Sequence, residues 1–194
     1  MNKKQLWVLA GGNGAGKSTF YRTRLEPKGL PFINADIIAK QLYPHDVEKY
    51  SYDAARVAAE FRIKLIAEGQ SFCMETVFSH PSKIDFLAQA KAMGYQIILV
   101  FIHLEINSLN LARISQRVSD GGHTVPEEKV INRIPRLLLY IKQALPLCNQ
   151  VYILDNSRAN DPFQRVVTLN ENRLEIHQVQ LSDWCQRLIE DFKT

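Results

Sequence analysis

This chain is organised around the stretch Leu6-Trp7-Val8-Leu9-Ala10-Gly11-Gly12-Asn13-Gly14-Ala15-Gly16-Lys17-Ser18-Thr19. Its apolar first part predicts a buried strand that helices cover on both faces. The glycine-rich part fits G-x-x-x-x-G-K-[ST], the pattern of a phosphate-binding loop, with a helix opening at the lysine. A glycine-rich turn that only joins a strand to a helix is the alternative. The motif has the strand–loop–helix context that phosphate binding requires, so it predicts a site for a nucleoside triphosphate.

Each part of the loop has a task in phosphate binding. Glycines let successive backbone N–H groups converge on phosphate oxygens, and the N-terminus of the helix adds its positive dipole end. Lys17 can reach the β- and γ-phosphates, and the Ser18 hydroxyl can ligate Mg²⁺. We therefore expect Mg²⁺ as cofactor and ATP or GTP as co-substrate. The expected nucleotide-binding residues of the loop are Gly11, Gly12, Asn13, Gly14, Ala15, Gly16, Lys17, Ser18 and Thr19.

The composition is that of a globular protein of 194 residues, with 46% hydrophobic and 23% charged residues. The net charge of +4 suits an anionic substrate but is too small to indicate a nucleic-acid-binding protein. The three cysteines, Cys73, Cys148 and Cys185, lack metal-ligand spacing and predict free thiols in a reducing compartment. No segment is long and apolar enough for a signal peptide or a membrane span, so we expect a cytoplasmic protein.

Strands alternate with helices along the chain, which predicts an α/β fold of the three-layer P-loop NTPase type with a doubly wound, mostly parallel sheet. Strands are expected at 6–10, 32–34, 71–76, 95–104, 150–154, 165–169 and 173–179. Helices are expected at 17–28, 37–42, 51–68, 79–93, 108–118, 126–147 and 181–192, with Pro135 interrupting or kinking the sixth. No linker divides the chain, so we expect a single domain over 1–194, with a C-terminal hairpin and helix at about 164–192.

Acidic residues follow several of the predicted strands, where ligands bind in doubly wound sheets. Asp36 could accept the proton of an attacking hydroxyl, although an aspartate before a helix is also a good N-cap. Glu75, followed by Thr76, could position Mg²⁺-bound water or bind a substrate hydroxyl, and an ordinary exposed charge is the alternative. With Gly11 and Asp155, these carboxylates could share one crevice.

Four arginines flank the polar loop Gly121-Gly122-His123 on two predicted helices. They are Arg113, Arg117, Arg133 and Arg136. As a group they predict a helical lid at about 113–136 that stabilises charge on the transferring phosphoryl group, although any one of them could belong to a solvated basic face. His123 could be a phosphate ligand or a loop histidine without a task. No aspartate follows the apolar strand 95–104, where Glu105 is only a weak candidate, and this absence favours a kinase over a motor or switch NTPase.

In this order, the motifs resemble those of the zeta-toxin family of P-loop kinases, including compact chromosomal members. The match covers about Leu6 to Ser157. The segments that carry it are Gly11–Thr19, Asn34-Ala35-Asp36, Met74-Glu75-Thr76, Arg117-Val118-Ser119-Asp120-Gly121-Gly122-His123-Thr124-Val125-Pro126 with Arg133, and Asp155-Asn156-Ser157. Of these segments, only the phosphate-binding loop is a specific motif when taken alone. The other segments support the resemblance because they occur together and in this order.

The resemblance implies phosphorylation of a sugar hydroxyl by ATP or GTP, with a UDP-activated N-acetyl amino sugar as acceptor in characterised toxins and an antitoxin protein as partner. Carried over, Asp36 is the general base, with Lys17 and Ser18 as phosphate and Mg²⁺ groups. Glu75 and Thr76 contact substrate, Arg117 contacts phosphate from the lid, and Asp155 lies near the nucleotide. His123 stands where longer plasmid toxins have a second lid arginine, a task for which Arg133 is the candidate replacement.

Two other classes of function stay open. A polynucleotide kinase is compatible with the pI of about 9.0, but no basic stripe with interleaved aromatic residues supports it. A nucleotide-binding regulator that acts through a protein partner would hydrolyse ATP slowly and would tolerate Asp36→Asn. The leading hypothesis is a small-molecule kinase that phosphorylates a nucleotide sugar.

Overall fold

The structure is a computed structural model that describes residues 3–104, 113, 127–171 and 173–192. The strands are β1 Gln5–Ala10, β2 Phe32–Ile33, β3 Phe72–Thr76, β4 Gln96–His103, β5 Gln150–Asp155, β6 Gln164–Asn170 and β7 Arg173–Ile176. The helices are α1 Lys17–Phe20, α2 Ala35–Leu42, α3 Ser51–Glu68, α4 Ser82–Ala92, α5 Glu127–Ala144 and α6 Asp183–Ile189. After α1 the chain stays helical through a π-helical turn, Tyr21–Leu25, and a 3-10 turn, Glu26–Lys28.

These strands form a seven-stranded sheet with the order β2-β3-β1-β4-β5-β6-β7. β1 pairs in parallel with both β3 and β4, and β2 and β5 extend the parallel part on either side. β6 and β7 add an antiparallel hairpin at one edge. The predicted doubly wound, mostly parallel sheet is therefore confirmed. From β1 the chain crosses to β2 on one side of the sheet, and from β3 it crosses to β4 on the other side of β1. The loop after β1 therefore lies at the point where the strand order reverses, and doubly wound sheets bind ligands at this switch point.

Helices cover the two faces of the sheet unequally. Successive side chains of a strand point to opposite faces, and in β1 the fully buried Leu6 and Val8 belong to the larger cluster with residues of α3, α4, α5 and α6. Leu9, also fully buried, belongs to a smaller cluster with Tyr21 and Leu25 from the helical path after the loop. The sheet is thus the middle of three layers. The helical segment that follows the phosphate-binding loop packs on the face opposite to α3, α4, α5 and α6.

Several boundaries differ from the sequence-based expectations. β7 ends at Ile176 and not at 179, and α6 spans Asp183–Ile189 and not 181–192. Two further differences have a local reason. α2 begins at Ala35 because Asn34 caps it. α4 begins only at Ser82, after Phe78 adopts a left-handed φ of 61° in the preceding loop. The interruption expected at Pro135 is wrong, since Pro135 lies inside the continuous helix α5. The helix expected at 108–118 and most of the lid lie outside the described residues.

Within the described ranges, no helix combines the length and the apolar content needed to cross a bilayer.

Candidate functional site

The loop after β1 has the backbone conformation that its glycines permit. Gly14 and Gly16 have φ of 77° and 97°, in the left-handed region that favours glycine. A Cβ on Gly16 would stand 2.6 Å from Asn156 Nδ2 and 3.2 Å from the Phe163 ring. A Cβ on Gly11 would collide with the backbone carbonyl of Ile102 in β4. The loop is therefore held closely against the neighbouring strands, and side chains are excluded at these glycines.

Lys17 is folded back over the loop. Its Nζ donates hydrogen bonds to the carbonyl oxygens of Gly11, at 3.0 Å, and Gly12, at 2.9 Å. The same Nζ lies 3.8 Å from Glu75 Oε1, and only 6% of the Lys17 surface is exposed. A buried ammonium needs such partners because burial otherwise disfavours its charge. The cation thus sits at the mouth of a loop whose amides can bind phosphate.

Ser18 and Glu75 join the loop to β3. The Ser18 hydroxyl donates a hydrogen bond of 2.8 Å to Glu75 Oε2, and the Glu75 side chain is only 11% exposed. In the parallel register Glu75 stands beside Leu9 of β1, one residue before the end of β3. The alternative of an ordinary exposed charge therefore does not describe Glu75. The sequence analysis named Glu75 at the end of this strand, and the structure places its carboxylate against the Ser18 hydroxyl of the loop.

Asp36 lies in the first turn of α2 with its side chain exposed. The N-cap of this helix is Asn34, whose Oδ1 accepts hydrogen bonds from the backbone N–H groups of Asp36, at 2.7 Å, and Ile37, at 3.3 Å. Asn34 itself is 6% exposed. The alternative role of Asp36 as N-cap is therefore wrong. Its carboxylate stays available to a ligand at the carboxyl end of β2.

Asn156, directly after β5, connects that strand to the phosphate-binding loop. Its Nδ2 donates a 2.8 Å hydrogen bond to the carbonyl of Ala15, and its Oδ1 accepts one of 3.2 Å from the Phe163 amide. The neighbouring Asp155 instead accepts a 2.9 Å hydrogen bond from the Ser157 amide, which shapes the local turn. Asn156 is 5% exposed. Asn156, and not Asp155, is therefore the residue that forms this hydrogen bond to the loop. The sequence analysis had named Asn156 only as a member of the segment Asp155-Asn156-Ser157.

Phe163 closes this side of the loop. Its backbone has a left-handed φ of 61°, unusual for an aromatic residue, and its ring meets Phe20 edge to face at 5.4 Å between centroids. Strained backbone of this kind persists where surrounding contacts determine it, and it concentrates at functional sites. No sequence pattern identified Phe163.

The lid expected at 113–136 is only partly described. Arg113 donates a 2.9 Å hydrogen bond from Nη2 to the backbone carbonyl of Asn156, so it contacts the segment that holds the loop. Arg133 and Arg136 lie on α5, half-buried and exposed respectively. Arg117 and His123 lie outside the described residues.

Thr76 and His103 end the two strands that flank β1. Thr76 Oγ1 accepts a 3.0 Å hydrogen bond from the Phe78 amide, which holds the loop after β3. His103 is 7% exposed, packs 4.3 Å from the Trp184 ring centroid and faces Asp155 in the sheet register. Burial lowers the pKa of His103 to about 4, while the charge of Asp155 acts in the opposite direction. His103 is therefore a neutral core residue beside the site.

Comparisons with known proteins agree with this geometry. Residues 6–136 match the family model AAA_33, described as an AAA domain. An uncharacterised protein of Haemophilus influenzae is 34% identical over 137 residues, which cover 67% of this chain and 97% of that protein.

Two solved structures share the fold. The AvrRxo1-ORF1:-ORF2 complex, solved with ATP, superposes with a TM-score of 0.66 at 18% identity, covering 93% of this chain and 65% of that chain. This chain therefore spans less than two thirds of that structural relative. A structure of the PezAT chromosomal toxin–antitoxin system of Streptococcus pneumoniae superposes with a TM-score of 0.66 at 17% identity, covering 98% of this chain and 84% of that one. The resemblance to zeta-toxin-type P-loop kinases is thus confirmed at the level of the fold.

Proposed function

The chain belongs to the AAA_33 family of P-loop domains, and from this premise we propose that it is a kinase that transfers the γ-phosphoryl group of ATP or GTP to a hydroxyl of a small molecule. The proposed acceptor is a sugar, with a UDP-N-acetyl amino sugar as the leading candidate. The observation that supports it most is the cluster of Lys17, Ser18 and Glu75 at the switch point of the sheet.

The cluster has the parts that phosphoryl transfer needs. Lys17 Nζ donates hydrogen bonds to the loop carbonyls of Gly11 and Gly12. A bound γ-phosphate would offer the ammonium stronger, charged acceptors, so we expect Lys17 to exchange the carbonyl bonds for phosphate oxygens. The amides of the loop would hold the remaining phosphate oxygens. Positioning and charge stabilisation supply most of the catalysis in such transfers.

The donor atoms of Ser18 and Glu75 fit Mg²⁺. A hydroxyl oxygen and a carboxylate oxygen 2.8 Å apart are hard oxygen ligands of the kind that this ion prefers. When bound, Mg²⁺ would neutralise charge on the β- and γ-phosphates. We propose that Ser18 ligates the ion directly and that Glu75 accepts hydrogen bonds from its waters.

Asp36 is proposed as the general base. Its carboxylate is exposed and free of the capping role. In the transfer step the acceptor oxygen bonds to the γ-phosphorus, the bond from that phosphorus to the bridging oxygen of the diphosphate breaks, and the hydroxyl proton passes to Asp36. The products are the phosphorylated acceptor and ADP or GDP.

The remaining roles follow the same scheme. We propose that Glu75, Thr76, His123 and Arg133 contact the acceptor, that Arg117 contacts phosphate from a lid at about 113–136, and that Asp155 lines the nucleotide site. A single domain over 1–194, a cytoplasmic location and an antitoxin protein as partner are further proposals. The shared fold with the PezAT toxin–antitoxin system supports the proposal of an antitoxin partner.

The test is a panel assay with Mg²⁺-ATP, nucleotide sugars, free sugars and oligonucleotides, with products identified by mass spectrometry. We expect one added phosphate on a nucleotide sugar, transfer lost in Asp36→Asn while nucleotide binding persists, and both lost in Lys17→Ala. Asp53→Asn on α3 is the matched control, because its exposed ion pair with Arg56 contributes little to stability.

Each contrary outcome has a distinct meaning. Slow ATP hydrolysis that is unchanged in Asp36→Asn, without transfer to any acceptor, would favour a regulatory ATPase that acts through a protein partner. Phosphate added only to oligonucleotides would favour the polynucleotide kinase. Transfer that survives in Asp36→Asn would exclude Asp36 as the general base.

A further inference from the structure

The strand β7 ends the sheet, and within the described part of the chain no strand pairs with its outer edge. The His177 amide, directly after β7, donates a 2.9 Å hydrogen bond to a backbone carbonyl of β6. Backbone groups alternate in direction along a strand, so Arg173 and Glu175 also direct theirs to β6. Leu174 and Ile176 therefore direct their N–H and C=O groups to the outer edge. An open edge of this kind can pair with a strand of another chain.

The side chains of β7 form a charged face and an apolar face, because successive side chains point to opposite sides of a strand. Arg173 and Glu175 lie on one face and are both exposed. Leu174 and Ile176 lie on the other face, and Ile176 is 39% exposed. These two line a mostly apolar groove beside α6, whose other apolar lining residues are Leu181, Ile189 and Phe192. The edge thus offers a pair of opposite charges next to uncovered apolar surface.

A second copy of the chain can complete this edge with its own β7. In an antiparallel pair centred on Leu174, each Leu174 would exchange N–H···O=C hydrogen bonds with the other. Arg173 of each copy would then stand opposite Glu175 of the other, where unlike charges stabilise the pairing and like charges destabilise it. Centring the pair on Arg173 or on Glu175 would oppose like charges, and centring it on Ile176 would need strand structure beyond the end of β7. The charges and the hydrogen-bonding pattern therefore favour the register centred on Leu174.

We propose that the chain forms a homodimer in which the β7 strands of two copies pair antiparallel about a two-fold axis at Leu174. Such an interface is isologous, so the same residues serve both copies. The axis stands perpendicular to the sheet, which would continue through the dimer with the face that carries α6 on the same side in both copies. Both grooves contain Leu174, so they would meet at the axis and cover part of each other's apolar surface. The proposal does not depend on the kinase function.

Charged residues on an edge strand can also serve the opposite purpose and prevent pairing. On that explanation Arg173 and Glu175 keep the chain monomeric, and exchanging their charges changes nothing. The pattern of β7 favours pairing, since the strand contains neither proline nor lysine and pairs with β6 without a bulge. Its two opposite charges are also spaced so that a second copy matches them. Exchange of the charges at these two positions therefore separates the two explanations.

The experiment measures mass by sedimentation velocity and light scattering over a series of protein concentrations. We expect the natural chain to reach twice the mass of one chain, which is 22.2 kDa. Arg173→Glu and Glu175→Arg each place like charges opposite one another twice, so we expect the dissociation constant of the dimer to rise by about tenfold or more. The double variant with both changes restores opposite charges and should dimerise like the natural chain.

A mixture of the two single variants tests the pairing itself. In equimolar Arg173→Glu and Glu175→Arg chains, two glutamates of one copy stand opposite two arginines of the other, so a mixed dimer should form where each variant alone is monomeric. The Leu174 amide should exchange its hydrogen slowly in the natural dimer and rapidly in either single variant. Arg56→Glu and Glu60→Arg, both exposed on α3, are matched controls that should not change the mass. Far-ultraviolet circular dichroism reports whether each variant is folded.

A natural chain that stays at 22.2 kDa at every concentration would overturn the proposal and would favour a strand of a different protein at this edge. A dimer that persists unchanged in both single variants would also overturn it, because the interface would lie elsewhere. If the single variants dissociate but neither the double variant nor the mixture associates, the register centred on Leu174 is wrong. Phosphoryl transfer enters none of these measurements, so the proposed function succeeds or fails separately.

Discussion

The Ser18 hydroxyl donates a 2.8 Å hydrogen bond to Glu75 Oε2 and so joins the phosphate-binding loop to the neighbouring strand β3. The two residues are 57 positions apart in the chain. They meet because β3 pairs with β1, which brings Glu75 beside the strand that leads into the loop. A hydroxyl and a carboxylate in this contact form the part of the proposed site where Mg²⁺ would bind.

The first prediction concerns this contact. Glu75→Gln keeps the shape of the side chain but removes the charge that orients the Mg²⁺ ligands. We expect the rate of phosphoryl transfer or ATP hydrolysis to fall by about tenfold to a hundredfold and to require more Mg²⁺, which is the usual effect of removing a group that orients metal ligands. Steady-state rates measured over a range of Mg²⁺ concentrations test this. In the double variant of Ser18→Ala and Glu75→Gln, the loss of activation free energy should be smaller than the sum of the losses in the two single variants, because the two residues are in contact. The control Glu60→Gln, at an exposed position, should not change the rate.

The second prediction concerns Asn156. Asn156→Ala leaves the carbonyl of Ala15 and the amide of Phe163 without their partner. An unsatisfied buried polar group costs about 1–3 kcal/mol, so we expect a clear loss of unfolding free energy in urea and weaker nucleotide binding. Asn160→Ala, at an exposed position in the following loop, is the control. Nucleotide affinity that stays at the natural level in a folded Asn156→Ala protein would show that Asn156 does not position the loop.

The third prediction concerns pH. Burial lowers the pKa of His103 from 6.5 to about 4 in the folded chain. Below pH 6.5 the unfolded chain therefore binds a proton that the folded chain does not, and the free energy of unfolding falls as the pH drops toward 4. The contribution of this histidine is about 2 kcal/mol between about pH 7.5 and about pH 5.

Urea unfolding at these two pH values, compared with His103→Gln, measures the effect. The pH dependence should be smaller in His103→Gln than in the natural chain, while the exposed His45→Gln should leave it unchanged. An equal loss of stability in the natural chain and in His103→Gln would contradict the neutral, buried histidine.

The fourth prediction concerns the thiols. Cys73, Cys148 and Cys185 are all buried and free. Burial raises the pKa of Cys148 and of Cys185 to about 12, and it also raises the pKa of Cys73. Since the thiolate is the reactive form, we expect slow reaction with a disulfide reagent in the folded state and rapid reaction of all three thiols in denaturant. Fast labelling of the folded protein, resolved by peptide mass spectrometry, would identify an opening near the labelled cysteine.

Part of the fold could be predicted from local patterns. The apolar run before Gly11 predicts a buried strand, and the alternation of strands and helices predicts a doubly wound sheet. α3 was expected at 51–68 and spans Ser51–Glu68, because its apolar spacing and the glycine at position 69 both define it. Pro135 was misjudged, since the contacts of α5 with the sheet and with α6 maintain a helix that local propensity disfavours.

Part of the candidate site could also be predicted, because the glycine, lysine and hydroxyl spacing of the loop is itself a chemical requirement. The other residues of the site are harder to predict, because most of them belong to no local motif. Asn34 could have been identified as the cap of α2, since asparagine is a favoured N-cap. Asn156 and Phe163 carried no comparable signal, because their importance comes from contacts with Ala15 and Gly16, which lie more than a hundred positions away.

Local patterns are enough to predict that this chain builds a phosphate-binding loop between a buried strand and a helix, because both the periodicity and the motif lie within a few neighbouring residues. Which distant groups face that loop depends on the tertiary structure. The strand order puts β3 beside β1 and so brings Glu75 to Ser18. Such neighbours depend on how elements pair and pack in space, and that information is spread over the whole chain.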